Sequence, residues 1–291
     1  MKQRIASWRI DRLQKFVRAN PDHPKGWPKL HELCLVHGKL AELVTFCQNT
    51  IRIRPNTRLA WAFLHVATEE DGYVVDLFPF FKQVVRLHPV DEIGWLHLDE
   101  EYRKSTDEAD LVAFCLEVVK RDPDTIYAWM RLSQVYKKQA RYADLIVTAQ
   151  ELIRLNPRDA QAWCNLADAY AARGKYDEAV AAYEQTLSLK PNLLVAWNNL
   201  GNVYHLQGRY EEAVDAYEKS IELNRDDAAP WVWLCLAHVE MGEQKKAQEA
   251  IKKVEKRLPL VASMLAEELA HQSKLPAAFG QDRVFTPASE T

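Results

Sequence analysis

The sequence has 291 residues and no apolar run near the 18 or more that a membrane-spanning helix requires. Glycine is scarce, at 9, and proline stands at 13, which argues against a turn-rich all-β fold and against disorder. Neither sign of charge dominates. The 38 Lys and Arg against 41 Asp and Glu leave a formal net charge of −3, so there is no general pull toward phosphate backbones and nucleic acid is not implied as a partner. No CxxC pair occurs. Cys34, Cys47, Cys115, Cys164 and Cys235 are odd in number and dispersed, which reads as reduced thiols in a cytosol-like compartment. The opening MKQRIASWRID is basic but has no apolar stretch of the secretory kind. Gly-rich phosphate loops, nucleophile elbows and paired-carboxylate motifs are missing. These absences predict a cytoplasmic, non-catalytic protein with no cofactor and no bound metal.

What is present is a ruler. Tryptophans stand at Trp27, Trp61, Trp95, Trp129, Trp163, Trp197 and Trp231, each 34 residues after the last, and only Trp8 and Trp233 lie off this grid. Three residues after each gridded tryptophan there is a leucine: Leu30, Leu64, Leu98, Leu132, Leu166, Leu200 and Leu234. Prolines keep the same period at Pro21, Pro55, Pro89, Pro123, Pro157, Pro191 and Pro259, with Arg225 in the single gap. Self-similarity of this length marks a chain built by stacking one supersecondary unit. At about 100° per residue from Trp197, Leu200, Gly201 and Tyr204 fall on one apolar stripe. In GRYEEAVDAYEKSIEL, Tyr210, Ala213, Val214, Tyr217 and Ile221 follow at helical spacing, which predicts a second helix.

The motif resembles the tetratricopeptide repeat, W-x₂-L-G-x₂-Y, then A-x₃-F, then P, in 34 residues. Residues 194–227 match it through Trp197, Leu200, Gly201, Tyr204, Ala213 and Tyr217; residues 160–193 match through Trp163, Leu166, Tyr170, Ala179, Tyr183 and Pro191. The resemblance runs over residues 24–261 as seven repeats. It implies an all-α fold: a right-handed α-solenoid of helix-turn-helix units with a concave groove lined by the first helix of each. Residues 1–23 read as an N-terminal capping helix whose apolar side is Ile5, Trp8, Leu13 and Phe16; its basic character makes a membrane-surface or targeting helix the rival reading. Residues 24–159 read as four divergent repeats and 160–261 as three, two of them close to the motif. Residues 262–275 read as a C-terminal cap and 276–291 as a mobile tail. The divergent repeats carry His31, His65, Asp99 and Ser133 where a small residue is expected, and Leu43, Leu77, Leu111 and Leu145 where alanine is. Those larger residues predict helices pushed apart or rotated. Pro79 fits only in the first turn of a helix, so Asp76 is expected to cap that helix.

Three sets of residues are candidates for function. In HELCLVH, His31, Cys34 and His37 recur at three-residue steps beside Glu32, a spacing metal ligands could use, although core packing accounts for it better. On the face left over by the packing stripe stand Asn198, Asn199 and Asn202, extended by His205, with Asn165 and Asp168 at the positions of Asn199 and Asn202 one repeat earlier. An amide both donates and accepts, so such a ladder suits the backbone of an extended peptide. Arg103, Lys104, Arg131, Lys137 and Lys138 form a basic set toward the same face, suited to an acidic peptide or a C-terminal carboxylate, or else a solvated surface. The dicarboxylate clamp of chaperone-binding family members is matched at Asn165 alone. Trp233 takes the place held by Asn199 and Asn165; it reads either as a groove-facing hot spot or as covered by the cap or the tail. The function implied is a non-catalytic scaffold that binds an extended segment of a protein partner. The alternatives are a structural or assembly subunit, docking through the divergent repeats or self-associating, and a recruitment arm for a separate enzyme.

Overall fold

The computed structural model describes residues 2–69, 76–105, 107–255 and 258–271, and among these there are sixteen α-helices and no strand. The chain divides into two compact units, Met1–Arg131 and Leu132–Thr291. The first holds α1 (Lys2–Ala19), α2 (Gly26–Val36), α3 (Leu40–Ile53), α4 (Arg58–Glu69), α5 (Phe78–Leu87), α6 (Glu92–Ser105), α7 (Glu108–Arg121) and the start of α8 (Ile126–Lys138). The second holds the rest of α8, then α9 (Tyr142–Leu155), α10 (Ala160–Ala172), α11 (Tyr176–Leu189), α12 (Leu194–Leu206), α13 (Tyr210–Leu223), α14 (Ala228–Glu240), α15 (Gln244–Glu255) and α16 (Pro259–His271). Helices that follow one another pack side by side, as α2 with α3 and α10 with α11, and alternate helices also meet: α2 and α4 in the first unit, α10 and α12, and α12 and α14, in the second. The predicted tail, 276–291, lies outside the described residues.

The period of the sequence has a common hydrogen bond beneath it. The indole N–H of each gridded tryptophan donates to the backbone carbonyl six residues earlier. Trp27 reaches Pro21 at 2.7 Å, Trp95 reaches Pro89 at 2.7 Å and Trp197 reaches Pro191 at 2.8 Å. Trp61, Trp129 and Trp163 do the same to Pro55, Pro123 and Pro157. Trp231 donates to Arg225 at 3.1 Å, where the proline is missing. The acceptor is a carbonyl that any residue carries, so proline serves the turn and not the bond. Trp27 and Trp95 are fully enclosed, whereas Trp129, Trp163 and Trp197 are half-buried.

Close approach is built in at Gly201. A Cβ there would stand 2.5 Å from the ring of Tyr217, which is fully buried. The turns inside the helix pairs place one residue in the left-handed region: Gly174, Gly208 and Gly242 in the second unit, and Ala140 with φ 53° at the equivalent position. Alanine has a Cβ penalty there that glycine lacks.

Two local expectations are corrected. The apolar side predicted for α1 is not its buried side. Ala6, Ile10 and Val17 turn inward, while Ile5, Trp8 and Phe16 are 48%, 58% and 41% exposed. The reason is that α1 packs on α2 through the arc of Ala6, Ile10 and Val17, which turns Ile5, Trp8 and Phe16 away from the helix pair's buried side. Helix α5 begins one residue later than Asp76 would cap: Leu77 holds the cap position, Pro79 sits in the first turn, and Asp76 Oδ1 accepts from the Phe78 N–H at 3.0 Å in an Asx turn.

Candidate functional site

In the second unit, polar side chains on α8, α10 and α12 join into one strip. Asn165 is its centre on α10. Its Nδ2 donates to Ser133 Oγ of α8 at 3.2 Å, and its Oδ1 accepts from Lys137 Nζ and from Gln161 Nε2, both at 3.1 Å. Lys137 also pairs with Asp168 Oδ2 at 3.0 Å. Asp168 Oδ1 in turn accepts from the Tyr183 hydroxyl at 2.5 Å and from Asn199 Nδ2 of α12 at 3.1 Å. Asn165 and Asp168 are buried, so bonding both amide ends and both carboxylate oxygens is what permits them to be there.

Asn202, expected from the sequence to be a groove amide, is not one. It is buried, and its Oδ1 accepts from the Tyr217 hydroxyl at 2.9 Å. Asp168 and Tyr183 make the same contact one repeat earlier. Each pair spans 15 residues, a spacing visible in the sequence that would have assigned Asn202 to packing. The buried set of α12 is Ala196, Leu200, Gly201, Asn202, Val203 and Tyr204, a wider arc than one centred on Trp197.

Asn198 and His205 stand differently. They are seven residues apart, hence on one face of α12, and both are half-buried. Asn198 Oδ1 and His205 Nδ1 are enclosed and have no hydrogen-bond partner. Burial also pushes the His205 imidazole below its ordinary value, which favours the neutral ring. Trp233, from α14, is half-buried and sits edge-on to His205 with ring centroids 5.7 Å apart. Asn199, half-buried, adjoins them with its carbonyl oxygen outside the bond to Asp168.

The divergent residues of the first unit are occupied in a parallel way. His65 Nε2 and His97 Nδ1 are 3.0 Å apart across 32 residues, and Arg131 pairs with the buried Asp99 across the same interval. His31 lies against the Phe63 ring at 5.7 Å. In the second unit Ser133 to Asn165 repeats the interval. Three of the residues that replace the small one of the motif, His65, Asp99 and Ser133, therefore bond to the next first helix. Burial, with His65 beside it, pushes His97 down to about 4, and burial raises Asp99 against the pull of Arg131.

The basic set is drawn largely into these bonds. Arg131 is committed to Asp99, Lys137 to Asp168 and Asn165, and Lys104 to Glu101 at 2.8 Å. Arg103 and Lys138 are exposed. Arg131 and Lys137 are thus engaged by local carboxylates and an amide, while Arg103, Lys104 and Lys138 remain at the surface. Among the described residues no three His, Cys, Asp or Glu converge as metal ligands; in HELCLVH, Cys34 is buried and His37 exposed. Burial pushes the thiols of Cys164 and Cys235 up to about 12, so both stay protonated at neutral pH. The arrangement presents hydrogen-bond donors, acceptors and an indole, a set suited to holding a ligand.

Residues 158–226 and 204–267 match two models of the tetratricopeptide repeat. No curated protein matches the chain. Among solved structures, a MamA protein superposes with a TM-score of 0.53 at 22% identity, covering 62% of this chain and 94% of its own. YrrB, described as a TPR protein with an unusual peptide-binding site, gives 0.55 at 15% identity over 64% of this chain and 97% of its own. MamA from residue 41 onward, from Desulfovibrio magneticus RS-1, gives 0.51 at 15% identity over 56% and 92%. These likenesses are of fold. Among the described residues no helix is long and apolar enough to cross a membrane.

Proposed function

Because this chain belongs to the tetratricopeptide repeat family, a family of protein-interaction scaffolds, we propose that it is a non-catalytic scaffold that takes an extended segment of a partner across α12 and α14. The observation that carries this reading is the pair of enclosed, unpartnered atoms on one face of α12, Asn198 Oδ1 and His205 Nδ1. Buried polar atoms without partners are rare in folded proteins, and a ligand that supplies the missing bonds is a physical reason for two on one face. Both residues are half-buried, so a rotation of each side chain would bring these atoms outward, where a peptide backbone offers an N–H to the amide oxygen of Asn198 and another to the neutral imidazole, independent of the peptide's own side chains. Trp233 supplies the flat, half-open apolar surface that anchors such contacts. The bonds of the Asn165, Lys137, Asp168 and Asn199 strip tie α8, α10 and α12 together, which keeps the α12 face from shifting. Peptide binding by YrrB, a chain of the same fold, supports the reading.

Affinity capture with mass spectrometry tests it, comparing wild type, Asn198→Ala/Trp233→Ala and the α13 surface control Glu218→Ala. Partners recovered with wild type and the control are expected to be lost with the double variant, at unchanged melting temperature. Equal recovery with all three contradicts the site. Loss instead with Arg103→Ala or Lys104→Ala in the first unit would favour an assembly subunit docked through its divergent repeats.

A further inference from the structure

The apolar side of α1 that the sequence marks for burial borders an open recess of about 930 Å³ between α1 and α2. Trp8, Arg12 and Phe16 follow at four-residue steps along α1, a stripe about 12 Å long at 1.5 Å per residue. Leu33 and Val36 line the facing side on α2, and Val36 is 73% exposed. Among the described residues no helix lies over the recess. Its rim carries Arg9, Arg12, Lys25 and Lys29 against one carboxylate, Glu32. Lys15 pairs with Asp11 on the same helix, but none of those four cations is in an ion pair with a described side chain. The Arg12 guanidinium lies 5.4 Å over the Trp8 ring, which holds the indole at the wall of the recess.

We infer that this recess is a docking groove for an acidic amphipathic helix of a partner protein. Two parallel demands select that occupant. The apolar floor runs along a helix axis between two helices, the geometry into which a third helix lays its apolar stripe. The cationic rim then meets carboxylates on the flanks of that stripe, and would repel a basic helix. The residues form a concavity and not a convex face, which suits a helix better than a flat lipid surface. The inference is independent of the α12 site: no residue is shared and the two lie in different units.

The probe is a fluorescein-labelled 16-residue peptide of leucine, alanine and glutamate, with leucines on one stripe and glutamates on its flanks; a matched peptide carries lysine for glutamate. Anisotropy titrations use the full chain. The glutamate peptide is expected to bind wild type and Asn198→Ala/Trp233→Ala alike. Trp8→Ser and Arg12→Glu/Lys29→Glu should each weaken it at least tenfold at unchanged melting temperature, since all three side chains are at the surface. The charge-reversed variant should gain affinity for the lysine peptide. Equal binding of both peptides by wild type, or no loss in the variants, overturns the groove. So does co-sedimentation of wild type but not Trp8→Ser with phosphatidylserine vesicles in place of peptide binding, which makes the surface lipid-directed. Self-association of wild type that Trp8→Ser abolishes also overturns it, by making a second copy the occupant.

Discussion

At the scale of single residues, the ruler in the sequence is a row of repeated bonds and close contacts. Trp95→Phe keeps most of the ring but orphans the Pro89 carbonyl, and should cost about 1–3 kcal/mol. Trp95→Ala, at a fully enclosed site, should cost about 3–5 kcal/mol, and half-buried Trp197→Ala distinctly less. Urea unfolding read by far-UV circular dichroism ranks the three. The carbonyl of Arg225 already serves Trp231, and Asn224 before it is extended (φ −146°, ψ 103°), as a following proline requires. Arg225→Pro should therefore stabilise by about 0.4–1 kcal/mol, mainly by restricting the unfolded chain. Gly201→Ala drives a Cβ into the Tyr217 ring and should destabilise by about 1–3 kcal/mol, while Ala140→Gly relieves a left-handed alanine and should not. The tryptophan, proline and leucine positions were legible in the sequence because each recurs as one residue type. The role of Asn202 was less so, because its partner Tyr217 lies on another helix and the only signal is the 15-residue spacing it shares with Asp168 and Tyr183.

At the scale of elements, three pairs of neighbouring first helices share a polar contact at an interval of 32 residues: His65 with His97, Asp99 with Arg131 and Ser133 with Asn165. Where the family motif asks for a small residue, this chain uses that position to reach the next helix. Asp99→Ala leaves the partly buried Arg131 without its carboxylate and should cost about 3 kcal/mol. Asp99→Ala/Arg131→Met should recover much of it, which thermal melts of the set will show. The His65 and His97 contact adds a pH dependence. His97 is pushed down to about 4 in the folded chain, so between about pH 6.5 and 4 the unfolded state binds the proton and the folded state does not. Stability should be lost as pH falls through that window and be unaffected by His97 above it. His97→Phe should flatten the difference between unfolding midpoints at pH 4.5 and 7.5. The helices themselves were legible from periodicity. Their facing was less so, because centring the buried stripe on Trp197 treats a half-buried residue as the middle of an arc that Ala196, Leu200 and Val203 define. The open stripe of α1 was legible as apolar, but what covers an apolar stripe is a property of the neighbours and not of the stripe.

At the scale of the whole molecule, the composition is that of a chain that makes surfaces. Net charge is small, thiols are buried and protonated, and Arg131 and Lys137, the basic residues nearest the polar strip, are held by carboxylates. At the proposed α12 site recognition rests on placed hydrogen bonds and aromatic area more than on long-range attraction, so affinity for a partner segment there should change little between low and physiological salt. The α1 groove, with its unpaired cations, should show the opposite. Which face of α12 meets the partner is tested most directly by site-specific photocrosslinking. A benzophenone side chain placed at Asn198 or His205 should capture the partner segment, and one at Asp215 on α13 should not. Capture from Asp215 with none from Asn198 or His205 would contradict the account.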